Sequence, residues 1–113
     1  MVTDYVPDVG HAIWLSLDPT RGHEQAGRRP FLVLTPRSYN AKTTLVVGVP
    51  ITSKAKGYPF EVALGKLAEI RGVVLADQVN SLDWRVHAAS FGEKVPAGTV
   101  RRVRAMIATL LQL

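Results

Sequence analysis

The sequence predicts a small, mainly β domain with a mostly antiparallel sheet and one C-terminal amphipathic helix. Short segments rich in β-branched residues alternate with turns that contain glycine and proline, and no long helical crossover separates them. At 113 residues and 47% hydrophobic content, the chain is expected to form a single domain over residues 1–113 with a substantial core. We therefore expect about five to seven short strands in a sheet that curls toward a small barrel.

The first predicted strand covers residues 11–17, where apolar side chains alternate with others at the period of a strand. A turn follows at residues 18–22, because Pro19 presets φ and Gly22 permits a positive φ. The apolar residues 31–35 predict a buried strand, which the following proline ends.

Residues 37–42 predict a short helical turn, and the β-branched residues in 44–51 predict the third strand. Pro50 indicates that this strand lies at an edge or carries a bulge, because proline cannot donate to a neighbouring strand. The remaining strands are predicted at 60–64, 72–79 and 86–91. The closing helix is predicted from apolar residues at helical spacing, namely Val100, Val103, Ile107, Leu110 and Leu111.

The net charge of +5 and the pI of about 10.0 are typical of a domain that binds polyanions. Cysteine is absent, which excludes disulfides and thiol chemistry. We expect a soluble cytoplasmic protein, since the chain shows neither a signal-peptide pattern nor an apolar run of membrane-spanning length. His11, His23 and His87 are far apart and form no ligand-spaced pair, so no metal site and no cofactor are predicted.

The most informative segment is His23-Glu24-Gln25-Ala26-Gly27-Arg28-Arg29-Pro30, which combines a carboxylate with two guanidiniums directly before an apolar run. A carboxylate can accept a proton, and a guanidinium binds phosphate through a planar fork of donors. A charged loop that leads into a buried strand is a common way to hold reactive groups in place. The alternative is a solvated loop with an incidental ion pair.

These groups suit the cleavage of RNA, because RNA carries its own nucleophile, the 2′-OH. Glu24 is a candidate for the base that removes the hydroxyl proton. Arg29 is a candidate for neutralising the charge that develops on phosphorus, since arginine is a reluctant proton donor. Trp14, Tyr58 and Trp84 are candidates for stacking on bases, although core or interface packing is the more frequent fate of a tryptophan.

Asp77 lies within a predicted apolar strand, where a buried carboxylate needs partners. It either pairs with an arginine and holds the loop, or contacts a base or takes part in proton transfer.

Several blocks of the sequence, in the same order, resemble the MazF/PemK toxins of bacterial toxin–antitoxin systems. The resemblance covers nearly the whole chain, and ordered blocks are more specific than any single motif. The matching blocks are Tyr5-Val6-Pro7-Asp8, Leu17-Asp18-Pro19-Thr20, Gly22 through Pro30, Tyr39-Asn40, Lys56 through Val62, and Leu75-Ala76-Asp77-Gln78-Val79.

The resemblance implies a curled antiparallel sheet or SH3-like barrel of the MazF/CcdB type, and a homodimer whose groove binds single-stranded RNA. It implies a sequence-specific, metal-independent endoribonuclease that cuts mRNA, leaves 2′,3′-cyclic phosphate and 5′-OH ends, and arrests growth. A cognate antitoxin with an acidic tail is implied as the inhibitor. RNA contacts are predicted at His23, Gln25, Arg28, Thr52, Ser53, Lys54, Lys56, Asp77, Gln78 and Arg85.

Members of the MazF branch are thought to use a carboxylate as base and an arginine as acid, and these positions match Glu24 and Arg29. In the PemK-like branch, catalysis is assigned to an aspartate, an arginine and a histidine. This sequence has the aspartate as Asp77 and the histidine as His23, but Leu75 stands at the arginine position. We therefore assign catalysis to Glu24 and Arg29, with His23 and Asp77 as second-rank candidates.

Two other functions are alternatives at this point. A non-enzymatic CcdB-like toxin that poisons DNA gyrase depends on a tryptophan near the C-terminus, whereas this chain ends Leu110-Leu111-Gln112-Leu113. A plain RNA-binding β-barrel would bind RNA tightly without cutting it.

Overall fold

The computed structural model describes residues 5–16 and 27–113, which form a seven-stranded antiparallel sheet and two helices. The strands are β1 (His11–Ser16), β2 (Arg28–Val33), β3 (Leu45–Thr52), β4 (Glu61–Ala63), β5 (Val73–Leu75), β6 (Asn80–Asp83) and β7 (Ser90–Lys94). The helices are α1 (Arg37–Thr43) and α2 (Ala97–Leu111).

The sheet follows the order β4-β5-β3-β2-β1-β7, and β6 pairs with β3 beside this path. The predicted β-rich architecture with a C-terminal helix is confirmed. Within the described ranges the two end strands, β4 and β7, do not pair with each other, so the sheet remains open and does not close into a barrel. No helix in the described parts of the chain is both long enough and apolar enough to cross a membrane.

The alternation of side chains in the central strands supplies two cores, one on each face of the sheet. Ala12 of β1 pairs in register with Leu32 of β2, and both belong to one buried cluster. Ile13 pairs with Phe31, and both belong to the other cluster. The sequence predicted one apolar face for the first strand, but both faces are buried because α2 covers one cluster and Trp84 packs in the other.

Helix α2 begins after Pro96 and buries Val100 and Val103 against the first cluster, as the helical spacing predicts. The Thr99 hydroxyl donates to the carbonyl oxygen of Leu64 at 3.3 Å, which joins the first turn of the helix to the chain that leaves β4. The apolar residues of the last turn remain exposed, notably Leu111 at 61%.

Strand β3 is central, so the edge position expected from Pro50 is wrong. Pairing with β6 ends at Gly48 and pairing with β5 begins at Ile51. Pro50 itself pairs with Phe31 of β2 and falls between the segments that face β6 and β5, where no strand needs its missing N–H.

Two predicted strands have wrong limits because polar contacts form turns inside them. Of the segment predicted as one strand at 72–79, only residues 73–75 form β5, because a turn follows in which the Gln78 N–H donates to the Leu75 carbonyl at 3.1 Å. Strand β6 begins at Asn80, beyond the predicted segment. The segment predicted at 86–91 begins as a turn, because the Asp83 carboxylate accepts the N–H groups that follow it. Strand β7 starts only at Ser90.

The close approach of β3 to β2 requires glycine at position 48. A Cβ at Gly48 would lie 2.0 Å from the Leu32 carbonyl oxygen, so Gly48→Ala forces the two strands apart. We expect Gly48→Ala to lower the free energy of unfolding by about 3 kcal/mol, measured by urea denaturation. Gly27→Ala is the matched control, because among the described residues no atom lies within 4 Å of a Cβ built there, and equal losses for the two variants would contradict this account.

Candidate active site

A cleft of about 560 Å³ opens where the beginning of β2, the end of β3 and the connection between β4 and β5 meet. We call it the arginine cleft. Its lining residues are Trp14, Arg28, Arg29, Pro30, Ile51, Thr52, Ser53, Lys54, Glu69, Ile70 and Arg71. The lining contains four cations and one carboxylate, so the cleft favours a polyanion.

Arg29 is exposed at the start of β2, opposite Leu15 of β1. Its Nη1 donates to the carbonyl oxygen of Arg28 at 3.0 Å. Arg29 also borders a smaller hollow of about 240 Å³ together with Leu15 and Phe31. The guanidinium therefore stands at the rim that the two hollows share, where a phosphate can reach it.

The guanidinium of Arg28 forms hydrogen bonds within the protein. Its Nη2 lies 3.1 Å from the Trp14 carbonyl oxygen, 3.1 Å from the Ala88 carbonyl oxygen and 2.9 Å from the Ser90 hydroxyl. These contacts tie β2 to β1, to β7 and to the turn before β7. Arg28 therefore braces the floor of the arginine cleft beside Arg29.

A second cleft of about 290 Å³ adjoins the first and shares Thr52 and Lys54 with it. We call it the tyrosine cleft. Its lining residues are Thr52, Lys54, Lys56, Tyr58, Phe60, Glu61, Leu75, Asp77 and Gln78. The two clefts therefore meet at the end of β3.

The wall of the tyrosine cleft is shaped by Glu61, whose carboxylate accepts the N–H groups of Lys56 and Gly57, each at 3.0 Å. The rings of Tyr58 and Phe60 stack with centroids 5.6 Å apart, and Tyr58 is 50% exposed. An exposed ring held by a second ring presents a flat apolar face of the kind on which nucleobases stack.

Most of the residues predicted from the sequence to bind RNA line these clefts. Arg28, Thr52, Ser53 and Lys54 line the arginine cleft, and Thr52, Lys54, Lys56, Asp77 and Gln78 line the tyrosine cleft. The predicted catalytic Arg29 also lines the arginine cleft.

Arg85 lines neither cleft. It lies in the turn before β7, and its guanidinium carbon is 5.2 Å from the centroid of the Trp84 ring. His23, Glu24 and Gln25 fall outside the described residues, so their predicted roles stay predictions.

The structure corrects the expectation for Asp77 and decides between the two alternatives for Trp84. Asp77 is exposed in the turn after β5, so it is not a buried carboxylate within a strand. Trp84 is buried, and its Nε1 donates to the Asn40 carbonyl oxygen at 2.9 Å, so it serves the core and not base stacking. Trp14 lies between these cases, because it packs against the core and also lines the arginine cleft.

Sequence reasoning missed Glu69, Ile70 and Arg71, which form one wall of the arginine cleft. No motif marks them, because their place in the cleft depends on how the connection between β4 and β5 folds back onto β7. In the described ranges, no group of three or more histidine, aspartate or glutamate side chains is placed to hold a metal ion.

The bracing role of Arg28 has a measurable consequence. We expect Arg28→Ala to lower the free energy of unfolding by about 1–1.5 kcal/mol, because it removes the hydrogen bonds that join β2 to β1 and to the chain before β7. Lys54→Ala, at an exposed cation of the same cleft, should change it by about 0.5 kcal/mol or less. Urea denaturation measures both, and equal losses would show that Arg28 does not brace the cleft.

Comparison with known proteins agrees with this geometry. Residues 8–111 match the family model described as "PemK-like, MazF-like toxin of type II toxin-antitoxin system". The chain is 48% identical to the endoribonuclease toxin MazF of Escherichia coli K12 over 111 residues, covering 98% of this chain and 99% of the relative. It is 41% identical to the endoribonuclease PemK of Escherichia coli over 104 residues, covering 88% and 78% of the two chains.

Among solved structures, the fold matches a chain in the MazE–MazF crystal structure (Form-II) from Deinococcus radiodurans with a TM-score of 0.87. That match has 46% sequence identity and covers 97% of this chain and 99% of the other. Both the sequence match and the structural match extend over nearly the whole of this chain. The chain therefore belongs to the family of PemK-like, MazF-like toxins of type II toxin–antitoxin systems.

Proposed function

We propose that this protein is a sequence-specific endoribonuclease toxin that cuts single-stranded mRNA without a metal ion. The observation that carries the proposal is the exposed Arg29 at the rim of a cationic cleft, beside hydroxyl groups and a lysine at residues 52–54. Relatives of nearly the same length are named endoribonucleases, which supports the same reaction here. Neither gyrase poisoning nor RNA binding without cleavage is favoured by an observation in the structure.

In the proposed reaction, the 2′-OH of the substrate attacks the adjacent phosphorus, and the 5′-oxygen of the next nucleotide leaves. Glu24 takes the 2′-OH proton, the leaving 5′-oxygen takes up a proton from water, and the products are a 2′,3′-cyclic phosphate and a 5′-OH end. Arg29 stabilises the additional negative charge on the phosphoryl oxygens during the attack. Glu24 precedes Gly27 by three residues, so the extended chain can separate their Cα atoms by no more than about 11 Å.

The two clefts divide the substrate between them. Thr52, Ser53 and Lys54 bind phosphates on either side of the cut in the arginine cleft, because hydroxyl and ammonium groups suit phosphate oxygens. In the tyrosine cleft, a base stacks on Tyr58 while Asp77 and Gln78 contact its polar edge. The PemK-branch aspartate and arginine positions, here Asp77 and Leu75, both line the tyrosine cleft, away from Arg29.

The proposal includes the partners that the family implies. A cognate antitoxin with an acidic tail covers the cationic arginine cleft, and the Deinococcus radiodurans match is a MazE–MazF structure. Two copies of the chain form a homodimer that acts in the cytoplasm, where its mRNA substrate is found.

The catalytic assignment is tested by incubating the protein with a long RNA in the presence of EDTA. We expect discrete cuts with 2′,3′-cyclic phosphate ends, and a loss of rate of about 100-fold or more in Glu24→Ala and in Arg29→Ala. Lys42→Ala is the control, because this exposed lysine of α1 lines neither cleft, and its rate should be unchanged. Undiminished cutting by both site variants would falsify the assignment.

Binding of RNA should weaken strongly with salt, because cations of both clefts neutralise phosphates. Four contacts give a slope of about −3 for the logarithm of the association constant against the logarithm of salt concentration. Raising monovalent salt from about 50 to about 200 mM should therefore weaken binding by roughly fifty-fold. Fluorescence anisotropy with a labelled oligonucleotide measures the slope, and a flat response would exclude a phosphate-binding groove.

A further inference from the structure

The carboxylate of Glu93 on β7 accepts three successive backbone N–H groups from the connection between β4 and β5. Its Oε1 accepts from Ala68 at 2.6 Å, and its Oε2 accepts from Glu69 at 2.8 Å and from Ile70 at 2.6 Å. Consecutive N–H groups that converge in this way form a concave anion site, and here the protein fills that site with its own side chain.

This contact is electrostatically favourable for the ionised side chain. The N–H groups, that of Ile70 first, hold the pKa of Glu93 below its ordinary value, against the opposing effect of desolvation. Charge-assisted hydrogen bonds are shorter and stronger than those between neutral groups. The loop therefore has one strong attachment to β7 through its backbone.

A second attachment lies directly beside the first. A Cβ at Gly92 would lie 3.1 Å from the Ile70 Cδ1 and 3.1 Å from the Trp14 Nε1, so the Ile70 side chain packs over the bare backbone at this position. Ile70 is 3% exposed and belongs to the first core cluster. The apolar contact fixes where the loop crosses the sheet, and Glu93 fixes the orientation of its backbone.

The loop held in this way is one wall of the arginine cleft. Glu69, Ile70 and Arg71 line that cleft, but Glu93 does not. Arg71 is exposed and follows directly on the last N–H that Glu93 binds. Its cation adds to the positive lining opposite β2 only while the backbone of residues 68–70 keeps this path.

We propose that Glu93 is a positioning residue for RNA binding, which acts through the backbone of residues 68–70 to hold Arg71 at the arginine cleft. This inference rests on the proposed function. Glu93→Gln keeps the size of the side chain, but it removes the charge and turns one acceptor oxygen into a donor amide that faces backbone donors. The loop should then lose its fixed path while the sheet keeps its own hydrogen bonds.

The test compares Glu93→Gln, Arg71→Ala and the double variant with the native protein. Binding is measured with a single-stranded oligonucleotide of 2′-deoxy sugars, which cannot be cut because it lacks the nucleophile. We expect Glu93→Gln to weaken binding by about 5- to 20-fold and to reduce the salt slope by about 1, as the loss of one phosphate contact does. Arg71→Ala should give the same loss, and the double variant should be no worse than either single variant.

Asp8→Asn is the matched control. Asp8 also accepts two backbone N–H groups, from Val9 at 2.8 Å and Arg37 at 2.9 Å, but it lines neither cleft. We expect native binding in this variant. Hydrogen exchange should be at least about 10-fold faster at the amides of residues 68–70 in Glu93→Gln and unchanged there in Asp8→Asn.

The outcomes separate this inference from the proposed function. Faster exchange at residues 68–70 with unchanged binding would overturn the positioning role, and so would losses that multiply in the double variant. For an RNA substrate, Glu93→Gln should raise KM and change kcat by no more than about twofold. If the native protein binds the oligonucleotide but does not cut RNA, the proposed reaction is refuted and the binding comparison remains valid. If the native protein neither binds the oligonucleotide nor cuts RNA, the proposed function and this inference are both refuted.

Discussion

The pairing of β3 with three neighbouring strands is the constraint on which the rest of this structure depends. One half of β3 faces β6, its end faces β5, and β2 runs along its other side. This arrangement is possible because Gly48 lets β3 approach the Leu32 carbonyl closely and Pro50 falls where no N–H is needed. The strand then ends at Thr52, which borders both clefts.

Carboxylates near the clefts stabilise loops through the backbone. Glu61 binds the N–H groups before Tyr58, and Glu93 binds those before Arg71. Each acid orders a loop that presents an aromatic ring or a cation to the clefts. These carboxylates bind backbone N–H groups, and the arginine cleft keeps an excess of positive charge. That excess suits both an RNA substrate and an acidic inhibitor.

Arg28 and Arg29 are adjacent in sequence but have different roles in the fold. Arg28 binds acceptors on β1 and β7 and before β7, whereas Arg29 stands at the rim of the cleft. A pair of arginines in a charged loop gives no indication of which one contacts neighbouring strands and which one stands at the rim of the cleft. That difference follows from the register of β2 against β1, which places Ser16 opposite Arg28 and Leu15 opposite Arg29.

The sequence by itself determined the β-rich class, the closing helix and the family, because alternation, helical spacing and ordered motifs are local properties of the chain. Most of the predicted RNA contacts also lie at the clefts, since they came from loops next to strand ends. Only the tertiary structure decided that residues 69–71 line the same cleft as Arg29, that Trp84 is buried and that a turn divides β5 from β6. These features depend on contacts between segments far apart in sequence, which local propensity does not report.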